Sequence, residues 1–307
     1  IKVLLITFLK LFLLIFYLSI FGIQTDRFNN QITNNILKIN KKINLNLNDV
    51  NYLLNPYDFT INIKTRNPQI SLEGRSLNLK NIQTNIALKA LINDKFLIND
   101  LQIVTKETKL NDIISLVRVF QNSPQLFILD KVIKDGLVTA NINLNFDEEG
   151  KIKDNYRIEG SVKKAKLNII NQFKFKNLSF NFYVNKNNYS LKKVNTKFNN
   201  IEITSPLIEI EHKKNSFFIN GQILNDNKNF DIEELKIVFD NLFNNIDIQE
   251  IEFSSKNNFS FNINNKLKFN NFKVQSIIEL NKLTVNEKNS KLKVYLPNFV
   301  EKNPSLK

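Results

Sequence analysis

The chain has 307 residues, of which 43 are Lys or Arg and 29 are Asp or Glu, so its formal net charge is +14, and it contains no Cys, Met or Trp. The lack of Cys excludes disulfides, thiolate metal sites and cysteine nucleophiles. The positive charge would ordinarily indicate nucleic acid or an anionic membrane as a partner, but the lysines are scattered and, with the many Asn, Ile and Phe residues, are typical of AT-rich codons.

The chain begins with an apolar run at 3–23, VLLITFLKLFLLIFYLSIFGI, which is interrupted only by Lys10. A helix of about 20 apolar residues can cross a bilayer, so the run predicts a transmembrane anchor over residues 1–25. A cleaved signal peptide and a buried core helix are the alternatives, although a signal peptide has a shorter apolar core. Lys2 and Lys10 lie at or before the helix, which favours a cytoplasmic N-terminus.

Residues 26–55 are predicted to form an amphipathic helix and a connector. In RFNNQITNNILKINKKI the apolar residues recur at steps of three and four, the spacing of one helix face. Such a helix either covers the end of the following sheet or binds a membrane surface. The residues of this stripe are Phe28, Ile32, Ile36, Ile39 and Ile43.

From Phe59 onward the apolar residues recur at every second position, which is typical of half-buried strands. The strands follow one another at roughly ten-residue spacing and are joined by short turns rich in Asn and Lys. We therefore predict a mainly β fold over residues 56–307, a long antiparallel meander curled into an elongated trough. The alternation shifts around Asn99 and Asp100 and again across Pro206, and both shifts predict β-bulges or bends.

One segment, at about 108–135, interrupts the strands with helical periodicity. Its first helix is predicted from the stripe formed by Leu110, Ile113, Ile114, Val117 and Phe120. A second short helix is predicted to begin at Ser123 and Pro124 and to stop at Gly136, because Pro favours the first turn of a helix and Gly the position after its end.

Few residues suggest a catalytic, metal-binding or phosphate-binding site. The only histidine, His212, lies at a predicted strand end, where a lone exposed histidine is usually solvated. Asp147, Glu148 and Glu149 occupy a predicted hairpin turn and lack the spacing of a calcium loop. No phosphate-binding glycine loop is present. We therefore expect no enzyme activity, no cofactor, no metal and, because Phe and Lys lie on opposite faces, no nucleic acid.

The apolar face of the predicted sheet is the main candidate for a functional surface. A single long sheet must cover such a face by closing on itself, by adding helices or by binding something apolar. A curled trough offers an interior suited to acyl chains, whereas a fully closed trough packs dry, and the periodicity fits both. The candidate groove residues are Ile142, Leu144, Phe146, Phe180, Phe182, Phe217, Ile219, Phe259 and Phe261.

An anchor followed at once by this strand pattern resembles the AsmA and TamB-like family of Gram-negative envelope proteins. The stretch that carries the resemblance is 67–120, NPQISLEGRSLNLKNIQTNIALKALINDKFLINDLQIVTKETKLNDIISLVRVF. In it, Ile70 and Leu72 enter a strand, and the strands that follow lead through Thr105 to the helix from Leu110. The resemblance implies a half-open sheet, the β-taco, which carries phospholipid between the inner and outer membranes and has no catalytic residues.

The expected function follows from both the residues and the resemblance. We expect a single-pass inner-membrane protein whose C-terminal domain lies in the periplasm, binds or conducts phospholipid acyl chains and supports outer-membrane assembly. The alternative is an anchored scaffold that has a dry β core and tethers another envelope or outer-membrane protein. Members of the family are usually much longer, and residue 1 is Ile in a chain without Met, so we expect a piece of a longer protein.

Overall fold

The computed structural model describes most of the chain, and its fold is mainly β, with 68% strand. The predicted fold class is confirmed: a long antiparallel sheet follows an apolar N-terminal helix, and helices are few. The residues described are 2–27, 29–30, 33, 43–72, 75–88, 98–120, 124–147, 152–169, 173–198, 201–214, 216–226, 230–233, 235–236, 247–264, 266 and 268–286.

Helix α1 (Lys2–Ile20) contains 19 residues, none of which is buried. At 1.5 Å per residue it is about 28 Å long, close to the thickness of the hydrocarbon core of a bilayer. Among the described residues it is the one helix long and apolar enough to cross a membrane. The predicted apolar helix is therefore present, with its last residue at Ile20.

The described residues form sixteen strands, and most of them alternate between an apolar and a polar face. The early strands are β1 (Ile23–Gln24), β2 (Ile43–Asn46), β3 (Asp49–Asn55), β4 (Thr60–Arg66), β5 (Gln69–Leu72), β6 (Arg75–Ala87), β7 (Ile98–Thr105) and β8 (Thr108–Lys109). The later strands are β9 (Ile133–Asn145), β10 (Arg157–Ile169), β11 (Phe173–Asn185), β12 (Asn188–Phe198), β13 (Ile201–Lys213), β14 (Ser216–Asn225), β15 (Ile248–Asn264) and β16 (Phe269–Val285).

The main sheet is a meander in which neighbouring strands are mostly consecutive in sequence. Its order is β1-β3-β4-β6-β7-β9-β10-β11-β12-β13-β14-β15-β16, and β2 and β5 extend from the first half of β6. Within the part of the chain that the structure describes, the sheet is not closed into a barrel. By internal contacts the chain divides into unit 1 (Ile1–Asn168 with Ser179–Leu191) and unit 2 (Ile169–Leu178 with Lys192–Lys307).

The predicted irregularity around Asn99 is confirmed as a β-bulge. Asn85 of β6 pairs with Asp100 of β7. The next residue of β6, Ile86, pairs with Ile98, so Asn99 is the extra residue. Such a bulge lets the apolar alternation of β7 change parity without leaving the sheet.

The predicted irregularity at Pro206 is confirmed as well. In β13, Thr204 pairs with Leu224 of β14, whereas Ile208 pairs with Gly221, so β13 has one extra residue between these pairs. Proline cannot donate its backbone nitrogen to the ladder, which explains why the bulge lies there.

Residues 26–55 contain more strand than the sequence analysis predicted. Asn29, Asn30 and Thr33 are helical, and most of the predicted stripe, from Phe28 to Ile39, lies outside the described residues. Residues 43–46 and 49–55 form β2 and β3 instead of a connector. The sequence INLNLN alternates apolar and polar residues. Because Leu45 and Leu47 are buried, this strand periodicity determines the structure of 43–46 in place of the helical spacing.

The helical insert consists of α2 (Leu110–Phe120) and α3 (Pro124–Val132). The second helix ends at Val132, so Gly136 is not its stop signal. Gly136 lies in β9 with φ +142°, and a Cβ at this position would come within 2.9 Å of Ala165 in β10. The glycine therefore permits a close approach of two strands.

Each unit contains a cluster of buried apolar side chains. In unit 1, Leu45, Leu47, Val50, Ile63 and Ile86 pack together, so β2 and the residues after it cover the first strands of the main sheet. In unit 2, Ile201, Phe230 and Leu235 pack with Ile203, Ile251 and Phe253.

Candidate functional site

In unit 1 one face of the sheet carries continuous rows of apolar side chains. Residues paired directly across antiparallel strands lie on the same face, so the register defines each row. One row crosses six strands through Val50, Thr65, Ile82, Ile103, Ile142 and Ile158. The neighbouring row runs through Ile23, Tyr52, Ile63, Thr84, Leu101 and Leu144.

Burial changes along these rows. Val50 and Ile63, in β3 and β4, are 0% and 7% exposed because the β2 layer covers them. Further along, in β9, the candidate residues Ile142 and Leu144 are only half-buried. The face is thus buried under the β2 layer and half-buried at Ile142 and Leu144, whereas Val138, on the same face of β9, is buried.

The other candidates of unit 1 lie beyond this point. Phe146 follows β9, is half-buried and forms an isolated bridge with Ile152. Phe180 and Phe182 are half-buried in β11, and their ring centroids are 6.5 Å apart. Phe182 lies over Gly160 of β10, where a Cβ would be 2.6 Å from the ring.

The opposite face of unit 1 is a ladder of amide and carboxylate side chains. Asn62 Nδ2 donates to Asn85 Oδ1 at 2.8 Å, and Asn85 Nδ2 donates to Asp100 Oδ2 at 3.1 Å. Further along, Gln102 Nε2 donates to Asn141 Oδ1 at 3.2 Å. Side chains on this face hydrogen-bond to one another across the strands, so the two faces differ sharply in chemistry.

Unit 2 repeats the pattern across β13, β14, β15 and β16. Three rows lie side by side on one face. The first is His212, Phe217, Ile263 and Phe269, the second is Ile210, Ile219 and Phe261, and the third is Ile208, Gly221, Phe259 and Val274. Four candidates from the sequence, Phe217, Ile219, Phe259 and Phe261, therefore lie together on one surface, which we call the unit 2 apolar face.

Phe261 is at the centre of the unit 2 apolar face. Its ring centroid lies 5.9 Å from that of Phe259, 5.5 Å from that of Phe269 and 6.1 Å from that of Phe272. These separations are typical of interacting aromatic pairs. Phe259 also lies over Gly221, where a Cβ would be 2.9 Å from its ring.

The surface becomes exposed at β16, the last of the described strands in the sheet order. Phe269 and Phe272 are 67% and 68% exposed, and Ile278 is 61% exposed. Contiguous exposed apolar side chains of this size mark interaction surfaces in soluble domains. At the other end of the same face, Phe230 and Leu235 cover Ile251 and Phe253.

The sequence analysis missed the β16 members of this surface. Phe269 and Phe272 are three residues apart, which breaks the period of two and would place them on opposite faces of a regular strand. The structure has a register shift there, between Ser260 and Asn262 of β15, and Asn271 has φ +55°. An extra residue at a bulge returns Phe272 to the apolar face.

A cleft of about 430 Å³ lies beside the bulge of β13. Its lining includes the polar side chains of Glu209, Asn220, Gln222 and Asn258. By register these residues lie on the face opposite Phe261. The lining also includes Gly221 and Phe259, which belong to the unit 2 apolar face.

His212, which the sequence analysis placed in solvent, is half-buried and stacks on Phe217 with a centroid separation of 4.6 Å. Burial raises the pKa of Tyr52, while the backbone N–H of Gly136 and then Lys166 lower the pKa of Asp135. Among the described residues, no group of three His, Cys, Asp or Glu side chains could hold a metal ion.

Comparison with known proteins adds no relative. No family model, no curated protein and no solved structure matches this chain. Its function is therefore argued from the two-faced sheet and from the helix that precedes it.

Proposed function

We propose that the chain is a membrane-anchored protein of the bacterial envelope whose apolar sheet face binds phospholipid acyl chains. In this proposal α1 spans the inner membrane, the sheet lies in the periplasm as a curled trough, and lipid moves along it toward the outer membrane. The observation that carries the proposal is the unit 2 apolar face, with half-buried Phe and Ile side chains on β14 and β15 and exposed ones on β16.

The physical basis is the hydrophobic effect. Each methylene that leaves water for an apolar surface gains about 0.8 kcal/mol, so an acyl chain gains several kcal/mol along a row of Phe and Ile side chains. Such binding needs no catalytic group, and it is non-directional, so a chain can slide along the rows. The β2 layer closes the face over β3 and β6, which favours the later strands as the acyl-binding part.

The test uses photocrosslinking of the full chain in membranes. The aromatic amino acid p-benzoylphenylalanine replaces Phe261 on the unit 2 apolar face, and the matched control replaces Asn258, which lies on the opposite face of the same strand. We expect phosphorus-containing lipid adducts at position 261 and none at position 258. Equal labelling at both positions, or none at 261 in a folded chain, would overturn the proposal.

The second candidate is a scaffold that binds another envelope protein through the edge of the sheet. The observation that favours it is β16 itself, because this strand of 17 residues is the last of the described strands in the sheet order and 15 of its residues, through Leu283, are exposed. An exposed edge strand offers unpaired backbone groups to a further strand.

An Ile277→Pro substitution distinguishes the two candidate functions. Ile277 is paired with Lys256 on the polar face, so an Ile277→Pro substitution perturbs the edge without removing a side chain from the unit 2 apolar face. A scaffold loses its protein partner in a pull-down from membranes, whereas lipid crosslinking at position 261 persists. If the variant loses its lipid adducts but keeps its protein partner, the edge strand is not the tether. Lipid binding by the unit 2 apolar face then depends on an intact β16.

A further inference from the structure

The hairpin between β3 and β4 presents two aromatic side chains to solvent. Tyr57 is 94% exposed and Phe59 is 70% exposed. The turn is held in place from within, since Asn55 Nδ2 donates to Asp58 Oδ2 at 2.8 Å and the N–H of Tyr57 donates to Asn55 Oδ1 at 3.1 Å. The Phe59 carbonyl accepts from the N–H of Leu88 at 2.8 Å, which fixes the turn to the end of β6.

The strand register places this hairpin at the end of β3 toward which α1 leads. β1 runs antiparallel to β3, with Ile23 paired to Tyr52 and Gln24 paired to Asn51. The chain before Ile23 therefore lies toward the hairpin end of β3. In agreement, a Cβ on Gly22 would be 2.5 Å from the Tyr52 carbonyl and 3.2 Å from Leu53. From Tyr52 to Asn55 the strand rises only about 10 Å.

The end of α1 is also aromatic. Tyr17 and Phe21 contact each other with ring centroids 5.3 Å apart, and Phe21 is 65% exposed. Tyr and other aromatic residues are enriched where a transmembrane helix leaves the hydrocarbon, and the interfacial layer on each side of the hydrocarbon is about 5–7 Å thick. The hairpin tip begins only about 10 Å along β3 from the residue that pairs with Ile23, so it is near enough to this helix end to reach that layer.

We infer that the Pro56–Phe59 hairpin tip inserts into the lipid interface beside α1, as a second membrane contact of unit 1. The inference rests on the proposed role of α1 as a membrane anchor. Tyr57 and Phe59 place their rings at the boundary between headgroups and acyl chains, where aromatic side chains are favoured. A helix and a hairpin together limit rotation of the first strands against the bilayer, which a single helix cannot do.

The experiment uses tryptophan fluorescence, because the natural chain contains no Trp and each substitution introduces the only one. Phe59→Trp reports on the hairpin, and Tyr57→Trp is a second reporter at a position without positive φ. Phe12→Trp reports on the middle of α1. Phe127→Trp is the matched control. Phe127 is 48% exposed and lies on α3, which leads into β9 at the end of the unit 1 strands opposite the hairpin.

Each full-length variant is reconstituted into phosphatidylcholine vesicles whose acyl chains are brominated either near the glycerol or near the terminal methyl. We expect emission from the Phe12→Trp variant to be quenched most by deep bromines. Emission from the Phe59→Trp and Tyr57→Trp variants should shift to shorter wavelength and be quenched most by shallow bromines. Emission from the Phe127→Trp variant should change in neither vesicle.

The remaining outcomes overturn the inference in distinguishable ways. If the Phe12→Trp variant is quenched and both hairpin variants are not, α1 is inserted but the hairpin is not. A blue shift without quenching means that another protein covers the hairpin. Equal quenching of the Phe127→Trp variant means that the contact is not specific to the hairpin. If the Phe12→Trp variant is unquenched, the membrane anchor fails and the inference fails with it.

Discussion

Two glycines of the sheet are each covered by a phenylalanine ring from the next strand. Phe182 lies over Gly160, and Phe259 lies over Gly221. A glycine in a strand has no side chain to pack, and an aromatic ring across the strand restores that packing. Phe182 and Phe259 thus stabilise the sheet as well as lining its apolar face, which makes Phe261 and Ile142 the cleaner probes of lipid binding.

The tighter of the two pairs gives a prediction about stability. In a Gly160→Ala variant the new Cβ would lie 2.1 Å from the Thr139 carbonyl oxygen and 2.6 Å from the Phe182 ring. The ring can move but the carbonyl oxygen belongs to the β9 backbone, so we expect a loss of about 1–3 kcal/mol in the free energy of unfolding. Denaturant unfolding of the full chain, followed by circular dichroism, measures it.

The matched control is Glu159→Ala, the exposed neighbour on the opposite face. The hydrogen bond that Glu159 accepts from Asn141 is long, at 3.3 Å, so we expect a change within about 0.5 kcal/mol. If Gly160→Ala is as stable as the control, β9 and β10 can separate freely at this point and the close approach is not structural.

Particular residues show how far the sequence could predict the candidate site. The alternation of Phe217 with Ile219 and of Phe259 with Phe261 places these side chains on one face of their own strands, because the side-chain period of a strand is two. Which strands pair at which register depends on long-range contacts. The proximity of Phe261 to Phe272, across a bulge at Asn271, could therefore not be predicted.

The junction between α1 and β1 is a tight connection between two elements of unit 1. Only Phe21 and Gly22 separate them, and Gly22 is buried with φ +66°. A β-branched residue at this φ is strained, and its Cβ would also lie 2.5 Å from the Tyr52 carbonyl oxygen. We therefore expect Gly22→Val to break the pairing of β1 with β3 and to release α1 from the sheet.

Disulfide formation measures this pairing, because the natural chain contains no Cys. Ile23→Cys and Tyr52→Cys introduce a directly paired couple, whose Cβ atoms should lie about 4.5–5.5 Å apart. We expect oxidation to link them in the parent chain and in a Phe21→Val control, and several-fold less in Gly22→Val. Equal yields in the three backgrounds mean that the glycine is not required for the junction.

At the scale of elements, the errors of the sequence analysis have a common cause. Short segments such as 43–46 fit both a helical stripe and a strand alternation, and burial of Leu45 against Ile63 decides between them. Likewise, a glycine at position 136 is compatible both with the end of a helix and with a close approach of two strands. The long strands β9 to β16 were predictable because their alternation extends over ten or more residues in most cases.

At the scale of the whole molecule, the sequence predicts a two-faced meander but not the change in burial along it. The rows of Ile and Leu look alike in β4 and in β9, yet Ile63 is buried and Ile142 is half-buried. The β2 layer packs against Ile63, and Ile142 is not part of that cluster. Local periodicity contains no information about which layer lies above a given face.

The whole molecule offers two ways to bind a membrane, and they can be separated. The first is its net charge of +14, and the second is α1, in which 14 of 19 residues are Val, Leu, Ile or Phe. Each of these contributes about −0.3 to −0.6 kcal/mol to insertion, against about 2.5–3.5 kcal/mol for Lys10, so insertion is favourable overall. The charge is screened within about 3 Å at 1 M salt.

We expect the chain to remain in the membrane pellet after washing with high salt and with alkaline carbonate, because α1 is held by burial of apolar side chains and not by charge. A Leu9→Glu, Leu13→Glu variant adds two charges near the middle of the helix, each costing a few kcal/mol, and should move to the soluble fraction. A matched Lys64→Glu, Lys80→Glu variant lowers the net charge even further, yet should stay in the pellet because α1 is intact. Release of the parent chain by salt alone would instead assign membrane binding to the basic surface, and α1 would then need another partner for its exposed apolar side chains.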